Sequence, residues 1–253
     1  MNSGVDCLLE SNESLRGASA ALSDLIEEAP CIAHLKDAQT GKYIYSNDHW
    51  IEKLGLKSAK DIYGLTVDDL TGTDGVYTKW NFGHSFLYYR EELSKEIHRL
   101  ESQAQIQKHC VSSRRIYFTF EGSLIISDLI KRPVLGRDNW KIVAILTYSQ
   151  DRTPQQNLSS LLQLYLEYYP EQQALQHLLL YLDIEGYFIE LPTLKEVQML
   201  FAMSPDFDFS GVDNPDIQKL QDKVETASWH ELVTRLRARP SAFFSEIATG
   251  ASR

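Results

Sequence analysis

Residues 32–47 read IAHLKDAQTGKYIYSN. Two β-prone runs, Cys31–Lys36 and Lys42–Ser46, flank the turn-rich Asp37–Gly41. Two such runs around a glycine-containing turn make a hairpin. Immediately after it, Asn47 or Asp48 is placed to cap a helix carrying Trp50, Ile51 and Leu54, which Gly55 can end. Upstream, a short helix is predicted over about Ala20–Glu28, and Pro30 stops it. Residues 1–19, rich in Ser, Asn, Gly and Glu, read as a flexible tail.

Downstream of the hairpin, short elements fill Ser58–Leu70, and Thr71–Gly83 reads as an aromatic loop with Tyr77, Trp80 and Phe82. An amphipathic helix follows, in which Phe86, Tyr89, Leu93, Ile97 and Leu100 recur at three- and four-residue steps. Glu91 and Lys95 form an i,i+4 pair on its polar face. Three β-rich runs complete this half, at about Arg115–Glu121, Ser123–Val134 and Trp140–Ser149, with turns at Gly122 and Leu135–Asn139. Strands on both sides of a helical insert predict a five-stranded antiparallel sheet with helices on one face.

The character changes at Asp151–Pro154. Leu, Gln and Glu dominate beyond it, and helices are predicted over Gln155–Tyr168, Glu171–Leu182, Thr193–Ala202 and Pro215–Ala238. The fold class is therefore α+β, with a mostly α-helical C-terminal domain. The helix from Gln155 is expected to pack through Leu158, Leu161, Leu162, Leu164 and Leu166 or Tyr165, and these leucines cover more than one face. That is too much for a solvated connector, so the surplus face is expected to meet a second subunit in a homodimer.

Composition narrows the function. Asp and Glu outnumber Lys and Arg by 35 to 25, a formal net charge of −10. Nucleic-acid binders gain affinity from a basic face, and the chain as a whole has no such bias. The three cysteines, Cys7, Cys31 and Cys110, include no CxxC pair, which argues against a disulfide framework or a zinc ribbon. The opening MNSGVDCLLESNES carries acids where a secretory signal carries bases, and the apolar stretch at Leu178–Phe188 is interrupted by Asp183 and Glu185. The expected setting is the cytoplasm, with no membrane span. GxSxG, P-loop, HExxH and strand-following GxGxxG motifs are absent, and the expectation is a non-enzyme with no catalytic residues and no metal site.

The first half, about residues 20–153, resembles the PAS domain family. The resemblance rests on IAHLKDAQTGKYIYSN (32–47), WIEKLGL (50–56), KDIYGLTVDDL (60–70) and the closing PVLGRDNWKIVAILTYSQDRT (133–153). Asp151, Arg152 and Thr153 fill the Asp-x-Thr ending common in that family. Residues 170–253, after a connecting helix at 154–169, resemble a degenerate LuxR-type helix-turn-helix. This second resemblance is carried by TLKEVQMLFAMSP (193–205) and KVETASWHEL (223–232). The stretch between these fragments is too long for the family and holds Asp206, Asp208, Asp213 and Asp216. Acids there repel a duplex.

The PAS resemblance implies a cavity for haem, flavin or a small metabolite, without identifying the cofactor. Tyr45, His84, Tyr117 and Tyr148 are the ligand-pocket candidates. Strand tyrosines also serve as plain core, and His84 is either an axial ligand, as in haem-binding relatives, or an ordinary histidine. The Asn-Cys-Arg setting of photosensing flavin relatives is missing. On the C-terminal side, Lys195, Lys219 and Lys223 are the DNA-contact candidates, and Asn214 and Gln218 the base readers. DNA binding competes with reuse of the scaffold for protein contacts. The leading expectation is a cytoplasmic PAS-containing signalling or transcription regulator; the alternative is a constitutive interaction module that binds neither ligand nor DNA.

Overall fold

A computed structural model describes residues 19–80, 82, 84–136, 141–202, 215–224 and 229–238. The chain divides into two units, one comprising residues 1–121 and 125–151, the other 122–124 and 152–253.

The first unit holds helix α1 (Ser19–Glu27), strands β1 (Ile32–Asp37) and β2 (Tyr43–Ser46), and helices α2 (Asp48–Lys53), α3 (Val67–Thr71) and α4 (His84–Gln107). Strands β3 (Val111–Phe118), β4 (Leu124–Leu135) and β5 (Ile142–Asp151) follow. They form one sheet in the order β2-β1-β5-β4-β3. The hairpin turn is held by Asp37, whose Oδ1 accepts hydrogen bonds from the Gln39 and Thr40 amides at 3.1 and 2.6 Å. Central β5 pairs antiparallel with β1 and with β4. The strands at the two ends of the sequence segment are thus central neighbours, and the helical insert crosses one face. This is a PAS-type fold: the α+β class expected, with the mostly helical region following it.

Three details differ from the sequence reading. Helix α1 covers the opposite face of the sheet, where Ile26 packs with Ala33, Leu35, Ala144 and Leu146, so helices lie on both faces. Asn47 stands at the α2 N-cap position without capping it. Its side chain ties down the start of β1 instead, accepting from the Ala33 amide at 3.1 Å and donating to the Cys31 carbonyl at 2.7 Å. On α4, Lys95 pairs with Glu92 at 2.7 Å rather than with Glu91.

The second unit contains α5 (Leu158–Tyr168), α6 (Glu171–Tyr181), α7 (Leu194–Ala202), α8 (Pro215–Asp222) and α9 (Trp229–Arg237). Pro154 lies in a 3-10 turn, so α5 starts three residues later than expected, with the Asn157 side chain accepting from the Ser160 amide at 2.7 Å. Leu161, Leu162 and Tyr165 of α5 are buried, and α6 and α7 pack against this helix. Part of the leucine surplus is therefore absorbed inside the unit, leaving Leu158, Leu164 and Leu166 half-buried. The helix predicted over Pro215–Ala238 is two helices. The break comes where Val224 forms an antiparallel bridge with Phe188 and the Ile189 amide donates to the Lys223 carbonyl at 2.8 Å. Two tyrosines of α5 and its C-cap hold residues 122–124: Tyr165 Oη accepts from the Leu124 amide at 2.9 Å, and Tyr169 Oη donates to the Gly122 carbonyl at 2.8 Å. Gly122 has φ +85°, and a Cβ there would sit 2.4 Å from the His177 ring.

Candidate functional site

The register of the sheet brings His34 of β1, Thr147 of β5 and Lys131 of β4 abreast. Directly paired residues point to the same face, and here that face looks toward the helical insert. Lys36 lies in the next row, opposite Ile145. Helix α4 supplies Leu93, Ile97 and Glu101 at four-residue steps, one stripe facing the sheet.

Glu101 clamps two strands. Its Oε1 and Oε2 lie 2.8 and 2.9 Å from Lys36 Nζ, and Oε1 lies 2.7 Å from Lys131 Nζ. Both lysines are 1% exposed and Glu101 is 7% exposed. Burial pushes the Glu101 carboxyl up, but the two ammonium groups outweigh it and leave the carboxyl below its usual range. Lys131 is pushed down to about 8, first by burial and then by Lys36 and Arg115, against the pull of Glu101. Burial also drives His34 well below its ordinary value, and Lys131, Lys36 and Arg115 add to the shift. His34 is thus a neutral imidazole at pH 7, with one donor and one acceptor.

The polar groups here are incompletely paired. Among the described residues, neither ring nitrogen of His34 has a hydrogen-bond partner, nor do Arg115 Nε and Nη1 or Thr147 Oγ1, although all are buried. Buried polar atoms are nearly always satisfied, so a cluster of exceptions points to a missing partner. The His34 ring stacks on Trp50 at 4.4 Å and meets Tyr43 edge-on at 5.2 Å, so aromatic packing sets its orientation. The Arg115 guanidinium lies 5.9 Å from the Tyr117 ring centre.

His34, Trp50, Tyr77, Arg115, Tyr117 and Lys131 border a cavity of about 40 Å³. That is room for a few waters. Leu70, Leu93 and Ile97 complete an apolar wall. Among the described residues, the charged members of the lining are Lys53, Arg115 and Lys131, with no carboxylate.

Of the residues expected to line a pocket, Tyr117 does so. Tyr45 and Tyr148 do not. A bulge in the β1–β2 pairing sets Tyr43 opposite Lys36 but Tyr45 opposite Leu35, so the two tyrosines face opposite sides of the sheet. Tyr45 donates its hydroxyl to Glu27 at 2.6 Å, on the α1 side. Tyr148 pairs with Ala33 and Ile130 and packs on the same outer core. The side chain of His84 lies outside the described residues. His98 lies exposed on α4, with Nε2 2.9 Å from Asp68. The residues that sequence reasoning missed are His34, Lys36, Glu101, Arg115 and Lys131. For His34, Lys36 and Lys131 the one signal was a polar or charged residue at an inward-facing position of a mostly apolar strand; Glu101 on α4 and Arg115 on the polar β3 gave none.

In the second unit, Lys195 pairs with Asp216 at 3.0 Å, and half-buried Lys223 pairs with Glu196 at 3.1 Å. Lys219 is exposed on α8. Asp206, Asp208, Asp213 and Asn214 lie outside the described residues; Gln218 is exposed and donates to Asp222 at 3.2 Å. Among the described residues, no His, Cys, Asp and Glu group is arranged to hold a metal ion, and no helix is long and apolar enough to cross a membrane.

No protein-family model matches the sequence, and no curated protein matches it. Solved structures do resemble it. The PAS domain of Bordetella pertussis BvgS is 15% identical with a TM-score of 0.43, over 60% of this chain and 96% of that one. VqmA bound to DPO is 18% identical with a TM-score of 0.39, over 80% of this chain and 86% of that one. The PAS domain of the fruit-fly ELK potassium channel is 15% identical with a TM-score of 0.38, over 53% and 97%. The PAS-type assignment stands on the strand order and register of the sheet rather than on these distant likenesses.

Proposed function

We propose that the protein is a cytoplasmic PAS-type sensor, and not an enzyme, in which the first unit takes up a small polar molecule and the helical second unit carries the output. The observation supporting this most directly is the set of buried polar atoms on His34 and Arg115, unpaired among the described residues, that border an aromatic-walled cavity. A ligand that pairs them stabilises one arrangement of the cavity over another, and that difference in affinity is what signalling requires. The output unit is read as a helix-turn-helix derivative used for protein contacts, in a homodimer. Lys195 and Lys223, two of the three candidate phosphate contacts, are already paired with carboxylates of the same unit.

A second reading is a constitutive interaction module. It is favoured by the size of the cavity, about 40 Å³, which a few waters fill. Native mass spectrometry of the purified full chain, with thermal-shift screening against a metabolite library, separates the two. The sensor reading expects a retained small mass or a saturable shift in Tm. No retained mass and no shift with any compound returns the module. Light scattering at micromolar concentration tests the homodimer.

A further inference from the structure

Resting on that sensor reading, we propose that the cavity takes a small monocarboxylate, its carboxylate among Arg115, Lys131 and His34 and its carbon skeleton against the aromatic and aliphatic wall. Charge is the first ground. Lys36, Lys131 and Arg115 bring three basic side chains to this region of the core, and among the described residues the one carboxylate paired with the lysines is Glu101. The described lining itself contains bases and no acid. A neutral occupant leaves that surplus uncompensated in a low-dielectric setting, and a cationic one adds to it.

Hydrogen-bond chemistry is the second ground. Arg115 offers two buried nitrogens that can only donate. Lys131 has three ammonium protons and Glu101 as its acceptor at 2.7 Å. Neutral His34 adds one donor and one acceptor, both unpaired among the described residues. Donors exceed acceptors, so the occupant must be mainly an acceptor, which an ionised carboxylate is. The third ground is the wall. Trp50, Tyr77, Leu70, Leu93 and Ile97 give bare inorganic anions little to bind against, whereas a short carbon chain or methyl group buries apolar surface there. The cavity volume holds the class to a few heavy atoms.

The test uses the dialysed full chain at constant ionic strength. Sodium acetate, propionate, lactate and pyruvate are titrated by calorimetry beside acetamide, propionamide and lactamide, which keep the shape and lose the charge. The expected result is saturable one-to-one binding of at least one carboxylate, with its amide at least tenfold weaker. Arg115→Met is expected to weaken that carboxylate at least tenfold while circular dichroism remains that of the wild type. Because the acid–amide comparison is made on the wild type, it decides the question even where the variant fails to fold. An amide bound as tightly as its acid overturns the proposal and leaves the sensor reading standing. So does an uncharged metabolite retained in native mass spectrometry when the carboxylates give no heat. Silence from the whole panel, with no retained mass, overturns both.

Discussion

At the scale of single residues, Lys131 and Glu101 both make stability rise with pH, in two separate windows. The folded pKa of Lys131, about 8, lies below its ordinary 10.5. Between those values the unfolded chain binds more protons than the folded one, so this group makes stability rise with pH across that window. Glu101 is held below 4.5, so its contribution is present above that value and is lost as pH falls through the folded pKa. In urea unfolding, the wild type should gain stability relative to Lys131→Met on going from pH 7 to pH 10. An unchanged difference would show that Lys131 titrates as it does in the unfolded chain. At pH 7, Glu101→Met leaves two buried ammonium groups facing each other and should cost about 3–5 kcal/mol. Lys131→Met leaves Glu101 on Lys36 through both oxygens and should cost less than about 2 kcal/mol.

At the scale of elements, the end of α2 depends on a glycine for two separate reasons. Gly55 has φ +67°, and a Cβ there would lie 2.6 Å from the Phe120 ring. Gly55→Ala should therefore destabilise the protein by more than about 1 kcal/mol. In a Phe120→Gly background the same substitution should cost less, because the ring and its Cβ, 2.9 Å from the added atom, are both gone and the backbone part remains. Equal costs in both backgrounds, measured as a double-mutant cycle, would assign the whole effect to φ. The β1–β2 bulge acts at this scale too. One irregularity between Leu35 and Lys36 sends Tyr43 to the cavity and Tyr45 to α1. A period-two reading of YIYS places both tyrosines on one face, which is why Tyr45 was a natural pocket candidate and is not one.

At the scale of the whole molecule, the question is whether the chain reads DNA. Its net charge is −10, and in the second unit Lys195, Lys223 and Arg235 are paired with Asp216, Glu196 and Asp183. Non-specific affinity comes from neutralising phosphates, and each internal ion pair must be broken first. The full chain at physiological salt should bind duplex DNA with a Kd no tighter than about 1 μM and without sequence preference. The check is a selection from a random oligonucleotide pool followed by anisotropy. A single enriched consensus bound at nanomolar affinity, and lost in Lys219→Ala, would restore a transcription factor.

The strand–turn–strand at 32–47, the amphipathic spacing from Phe86 to Leu100 and the switch to helix after Pro154 were written in local pattern, and the α+β architecture followed from them. These features are legible because a hairpin or an amphipathic helix needs only neighbours within a few residues to declare itself. The site was not legible in that way. Lys36, Glu101 and Lys131 are separated by 65 and 30 residues in the chain, and each alone reads as an ordinary solvated charge. Only the pairing of β1 and β4 on either side of β5, with α4 laid across them, brings the three within hydrogen-bond distance. The break between α8 and α9 has the same origin, since Val224 leaves the helix to pair with Phe188, 36 residues earlier. Burial and long-range partners are properties of the packed chain, and they turned charged residues with no motif into the polar centre of this protein.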